Sequence, residues 1–104
     1  MILAVENRVK TGVLVVGGVQ RTRSRPEADA INYITRVKMP VLMLNGRYDL
    51  IYPYETIAKP LFDLLGTPAK DKEQRVYDAD HFVPHNDLVK ETLAWLDRYL
   101  GPVK

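Results

Sequence analysis

The sequence predicts an α/β fold, a three-stranded parallel sheet with flanking helices. Three observations carry that prediction. Gly12 to Gly17 (GVLVVG) and Val41 to Leu44 (VLML) are short, unbroken apolar runs, the mark of strands buried on both faces. Segments of helical character separate the strand patterns, and strand–helix alternation implies parallel strands joined by right-handed crossovers. The chain then closes on a long amphipathic helix.

Taken in order, Met1 to Glu6 has helical spacing over little more than one turn and no N-cap, so it reads as the tail of a helix. Gly12 to Gly17 is the first strand. Gly18 to Ala28 is polar and irregular, with Arg21, Arg23 and Arg25 alternating before Pro26. Asp29 to Val37 is expected to hold a short helix with Ile31, Ile34 and Tyr33 facing inward. The second strand, Val41 to Leu44, ends in Asn45-Gly46, a turn signal. Pro53 suits the first position of a helix running towards Leu65 and stopped by Gly66. Pro60 falls inside that helix and should bend or split it. Lys70 to Glu73 is a charged connector into the third strand, Gln74 to Tyr77. In the last helix Asn86 is the expected N-cap, and Asp87 suits the positive end of the helix dipole. Leu88, Thr92, Leu93, Leu96, Tyr99 and Leu100 recur at three- and four-residue intervals, with Trp95 beside them, and Gly101-Pro102 terminates the helix.

With 104 residues the chain forms one domain, residues 1–104. A hydrophobic fraction of 46% argues against disorder. The net charge of +2 has no long basic run behind it, so nucleic acid is not an expected partner. Zero cysteines exclude disulfides and thiolate chemistry. The apolar N-terminal stretch is too short for a signal peptide or a membrane span, so no membrane partner is expected and a cytoplasmic location is the default.

Chemistry concentrates at two strand ends. Asp49 follows Gly46 beyond the carboxyl end of the second strand, where open α/β sheets place their active groups. His81 stands beyond the third strand in the same way. A histidine acting as a base needs one ring nitrogen held by a carboxylate, and this spacing allows Asp49 to serve. The plainer reading is that Asp49 closes a turn while His81 caps a loop.

These residues resemble the α/β hydrolases. The likeness rests on the proline-led strand at Pro40, on Gly46-x-x-Asp49-x-x-x-Pro53, and on a helix, a strand and His81 before the amphipathic C-terminal helix. Asn45 to Tyr48 and Leu64 to Pro68 (LLGTP) are similar to segments of the dienelactone-hydrolase-like and prolyl-oligopeptidase-like branches. The resemblance implies that Asp49 is the triad acid and His81 the triad base. It also implies that the chain corresponds to the C-terminal part of the fold, strands six to eight and the final helix.

The serine nucleophile of such enzymes sits in G-x-S-x-G at a strained strand-to-helix turn. The single serine here, Ser24, lies between Arg23 and Arg25 without flanking glycines and is expected to be a solvated loop residue. The resemblance therefore implies acid and histidine without nucleophile, in a chain that is inactive alone. A small-molecule ester or lactone would be bound only by a complete hydrolase. No cofactor is expected, because Gly17-Gly18 lacks a phosphate-loop pattern. No metal is expected either, since Asp78, Asp80, His81 and His85 do not form a tight ligand set. The three arginines suit anions but fit a solvated loop better. For Tyr48, Tyr52 and Tyr54 a structural role at the strand end is favoured over pocket lining.

The first strand reads as interior, yet nothing in the sequence precedes it to pair with it. Self-association through Gly12 to Gly17, giving a homodimer, is the expected consequence; the alternative is that the N-terminal segment or the arginine loop folds over the edge. Two other functional readings stay open: a non-catalytic dimerising remnant, and a small flavodoxin-like ligand-binding module.

Overall fold

A computed structural model describes residues 2–6, 8–16 and 32–101. Within them, three parallel strands form one sheet in the order β1 (Gly12–Val15), β2 (Val41–Gly46), β3 (Lys72–Tyr77). Val13 stands opposite Leu42, and Leu42 opposite Glu73, with Gly46 paired to Tyr77 at the far end. β2 is the middle strand, which is why all six of its residues are buried. Its alternating side chains feed two cores. Val41 and Met43 pack with Ile34, Val37, Leu61 and Leu65 on one face. Leu42 and Leu44 pack with Val83 and Trp95 on the other. An unbroken apolar run thus becomes a strand covered on both sides, as the sequence predicts.

The strand boundaries depart from the expected ones for local reasons. β1 stops at Val15, because Val16 takes a left-handed backbone (φ 52°). That conformation costs a β-branched residue about 1–3 kcal/mol and ends the ladder. Val16 still donates its N–H to the Leu44 carbonyl at 2.7 Å. β3 begins two positions earlier than its apolar pattern, since an edge strand tolerates the charged Lys72 and Glu73. The short helix expected over Asp29 to Val37 is represented among the described residues by one 3-10 turn, Ile34–Arg36. Gly17, Gly18, Arg21, Arg23, Ser24, Arg25 and Ile31 lie outside the described residues.

Pro53 precedes its helix rather than opening it. Its carbonyl accepts the N–H groups of Ile57 and Ala58 at 2.9 and 3.1 Å, winding Tyr54–Ala58 into a π-type turn. The α-helical part, Lys59–Leu64, continues directly from that turn, with the Lys59 N–H donating to the Tyr54 carbonyl, and Pro60, which has no N–H to carry the wider winding further, stands where it gives way to α-helix. The split expected at Pro60 is this change of winding. The helix ends at Leu64, and Gly66 serves a different purpose from stopping it. A β-carbon there would collide with the Thr35 carbonyl and lie 2.9 Å from that of Val37.

The N-terminal helical turn α1 (Ile2–Val5) packs Leu3 and Ala4 on the Ile34 core. With α1 counted first and Lys59–Leu64 as α2, the last helix is α3 (His85–Leu100). Its N-cap is Pro84, not Asn86; Pro84 has ψ 131° and its carbonyl accepts the Leu88 N–H at 2.9 Å. Asn86 therefore sits in the first turn. The buried centre of α3 is Trp95 (5% exposed), whereas Leu93 and Leu100 are each 57% exposed. The Trp95 indole N–H donates to Thr11 Oγ1 at 2.8 Å, and that hydroxyl donates to the Pro40 carbonyl at 2.8 Å. This chain of bonds ties α3 to the starts of β1 and β2. No helix among the described residues is long and apolar enough to cross a membrane.

Candidate active site

The site forms where the carboxyl ends of β2 and β3 meet. Beyond the sheet proper, the Arg47 N–H donates to the Tyr77 carbonyl at 2.8 Å and the Tyr48 N–H to the Ala79 carbonyl at 3.0 Å. These bonds extend the ladder into two loops and carry their side chains together. Gly46 makes the approach possible: a β-carbon on it would overlap the Asp80 carbonyl oxygen and lie 2.6 Å from that of Ala79.

From that junction Asp49 turns inward. It is buried, and each carboxylate oxygen is occupied. Oδ1 accepts the N–H groups of Ile51 and Tyr52 at 2.8 and 2.9 Å. Oδ2 lies 2.8 Å from Nδ1 of His81. Burial pushes the carboxyl pKa up, but the Tyr52 amide, the His81 ring and the Ile51 amide outweigh it, so Asp49 is held below the usual carboxylate range. It is thus ionised at neutral pH. An ionised carboxylate only accepts, so the proton between the two residues belongs to Nδ1. In the neutral ring Nε2 then carries the lone pair.

The imidazole is partly exposed and held between rings. Tyr52 stacks at 6.1 Å between centroids with 29° between planes, and Phe82 meets it edge-on at 5.8 Å. Among the described residues Nε2 has no hydrogen-bond partner. Tyr48, Leu50, Ile51 and Phe82, the chain neighbours of the pair, are exposed.

The other candidates do not converge on this point. Asp78 pairs with Arg47 at 3.3 Å, and Asp80 Oδ1 accepts the Phe82 N–H at 2.9 Å, which shapes the loop behind His81. His85 opens α3 and is exposed. Among the described residues no group of three or more His, Cys, Asp or Glu is placed to hold a metal ion. Sequence reasoning missed the two amides on Asp49 and the Tyr52 stack. The first was legible, because an aspartate followed by a loop commonly accepts the N–H two or three residues on. The second was not, since it depends on how two loops meet.

With this geometry established, likeness to solved structures becomes informative. A cold-adapted esterase from an Arctic intertidal metagenomic library, solved in zinc-bound and native forms, superposes with TM-score 0.79 at 27% sequence identity, covering 95% of this chain and 42% of the esterase. The chain carries a partial α/β-hydrolase fold. A monoacylglycerol lipase of Paleococcus ferrophilus matches this partial hydrolase fold with TM-score 0.55 and 32% identity, over 64% of this chain and 27% of the lipase. The chain thus spans less than half the length of these hydrolases, and the likeness is consistent with their C-terminal portion. No family model and no curated protein matches the sequence.

Proposed function

We propose that this chain supplies the acid and the histidine of a serine hydrolase acting on carboxylic esters or lactones. In this reading residues 1–104 are a single segment of the hydrolase domain, its last three strands and final helix. The nucleophile and oxyanion hole come from polypeptide outside the segment. The observation that carries the reading is the 2.8 Å contact between His81 Nδ1 and Asp49 Oδ2, with the opposite carboxylate oxygen tied down by two amides.

That arrangement suits proton transfer. Asp49 holds the ring in the tautomer that presents an unprotonated Nε2, and it stabilises the imidazolium formed when Nε2 takes a proton. In a complete site Nε2 would accept the serine hydroxyl proton as the oxygen attacks the ester carbonyl, and return it to the leaving alkoxide. Water would then be activated in the same way to release the acid. Leu50, Ile51 and Phe82, next to Asp49 and His81 in the chain, are exposed apolar side chains available to an ester's apolar part in this reading. Ser24, flanked by arginines, lacks the glycine elbow needed to present a hydroxyl, so the isolated chain is inactive in this reading.

The test is a chimera. The matching segment of the Arctic esterase is replaced by this chain, and hydrolysis of an activated aryl ester is followed. The expected result is turnover that is lost with His81→Ala and falls by orders of magnitude with Asp49→Asn, while the isolated chain neither turns over ester nor labels with a fluorophosphonate. A folded chimera with no turnover above its own His81→Ala variant would sink the proposal.

A further inference from the structure

The hydrogen bond to Asp49 fixes one point of the His81 imidazole, not its plane. The ring can still turn about the line joining Nδ1 to Oδ2, and such a turn changes where Nε2 aims. No regular element holds it, because His81 stands in the irregular loop between β3 and α3. Two aromatic rings border the imidazole, and they are braced differently. Phe82 is 78% exposed and is the next residue in the same loop, so it travels with the histidine rather than holding it. Tyr52 is half-buried and comes from the other loop, the one that follows β2.

The backbone of Tyr52 is anchored on both sides. Its N–H donates to Asp49 Oδ1 at 2.9 Å. Pro53 follows it, and a residue before proline is confined to extended backbone. The Pro53 carbonyl in turn accepts the Ile57 and Ala58 N–H groups at 2.9 and 3.1 Å. The side chain of this anchored residue stacks on His81 at 6.1 Å between centroids, with 29° between planes. One residue thus holds the acid by its amide and the base by its ring. We propose that Tyr52 is a positioning residue: its ring face sets the plane of the His81 imidazole, keeping Nδ1 on Asp49 while Nε2 stays free to take a proton.

This role rests on the hydrolase reading for its purpose, since the imidazole needs a fixed plane only if Nε2 must meet a hydroxyl. Proton transfer requires that atom within hydrogen-bond reach, and a misplacement of about 1 Å costs about a hundredfold in rate. The stacking contact is made by the ring of Tyr52, so a flat face is the property required. Phenylalanine keeps that face. Leucine and methionine lose it while remaining apolar.

Imidazole nitrogen-15 shifts report the tautomer in the 104-residue chain without any need of turnover. The chain has two histidines, and the exposed His85 serves as internal reference. At alkaline pH, where imidazoles are neutral, His81 should carry its proton on Nδ1, whereas an unrestrained histidine ring favours Nε2. Tyr52→Leu and Tyr52→Met should move His81 towards the unrestrained mixture with unchanged circular dichroism. Tyr52→Phe should keep the parent tautomer, and Phe82→Leu should disturb it less than Tyr52→Leu does. In the esterase chimera the leucine and methionine variants should lower kcat by about tenfold to a hundredfold with KM within about twofold, and Tyr52→Phe should recover it. A His81 tautomer unmoved in both variants would overturn the proposal, even in an active chimera. So would a loss carried by KM alone, which would make Tyr52 a pocket wall. A chimera inactive with Tyr52 in place sinks the hydrolase reading instead, and the tautomer still decides whether the ring is held.

Discussion

Gly46 and Asp80 are in direct contact: the Asp80 carbonyl oxygen occupies the space that a β-carbon on residue 46 would need. The contact seats the loop bearing His81 on the end of the strand that leads to Asp49. A glycine at this turn therefore has a spatial reason here, distinct from conformational freedom. Gly46→Ala should displace residues 79–81, because the colliding atoms are backbone and have no flexible end to yield. The expected cost is about 1–3 kcal/mol of stability, as for other overpacked sites. It should appear as a lower denaturant midpoint together with altered ring resonances of His81. An unchanged midpoint and an unchanged His81 spectrum would show that the two loops part without penalty.

A second prediction separates the core of α3 from its surface. The periodicity of the helix groups Leu93 and Leu100 with its inward residues, but the structure buries Trp95 and ties its indole to Thr11. Trp95→Ala should destabilise the fold by about 3–5 kcal/mol, as expected for removing a large buried aromatic side chain. Leu100→Ala, at an exposed position, should stay within about 0.5 kcal/mol. Urea unfolding of the two variants at equal protein concentration makes the comparison. Equal losses would mean that the helix packs in another rotation.

The contrast between these residues shows what was legible in the sequence. Val41 to Leu44 identified the central strand because burial on both faces leaves no polar position in the run. Asp49 and His81 were legible as a pair because each follows a strand, and parallel strands put their carboxyl ends on one side. Trp95 was less so, since helical spacing alone does not say which part of a broad apolar stripe meets the sheet. Residue type points to Asn86 as the cap, whereas the helix begins two residues earlier, at Pro84, whose carbonyl accepts the first helical bond and which makes no side-chain cap. The end of β1 at Val16 depended on a left-handed backbone that a valine gives no reason to expect.

The last prediction uses the depressed pKa of Asp49. Its carboxylate gains more from three hydrogen bonds than burial takes away, so its folded pKa lies below its unfolded one. The sign follows from linkage: the unfolded chain binds the proton more readily at this group. The stabilisation is therefore fully present above the unfolded value, about 3.9, and is lost as pH falls through the folded pKa. Asp49→Asn keeps an oxygen to accept the Ile51 and Tyr52 amides but has no charge to lose. The variant should be less stable than the parent at pH 7, by about 1–3 kcal/mol, the range for hydrogen bonds to a charged group. The gap should narrow as pH is lowered through the acid range, because only the parent loses its carboxylate. Denaturant midpoints of both proteins measured from pH 7 downwards supply the test. A gap that stays constant to low pH would show that the charge on Asp49 contributes nothing to the fold, and that the two amides and the imidazole stabilise its shape alone.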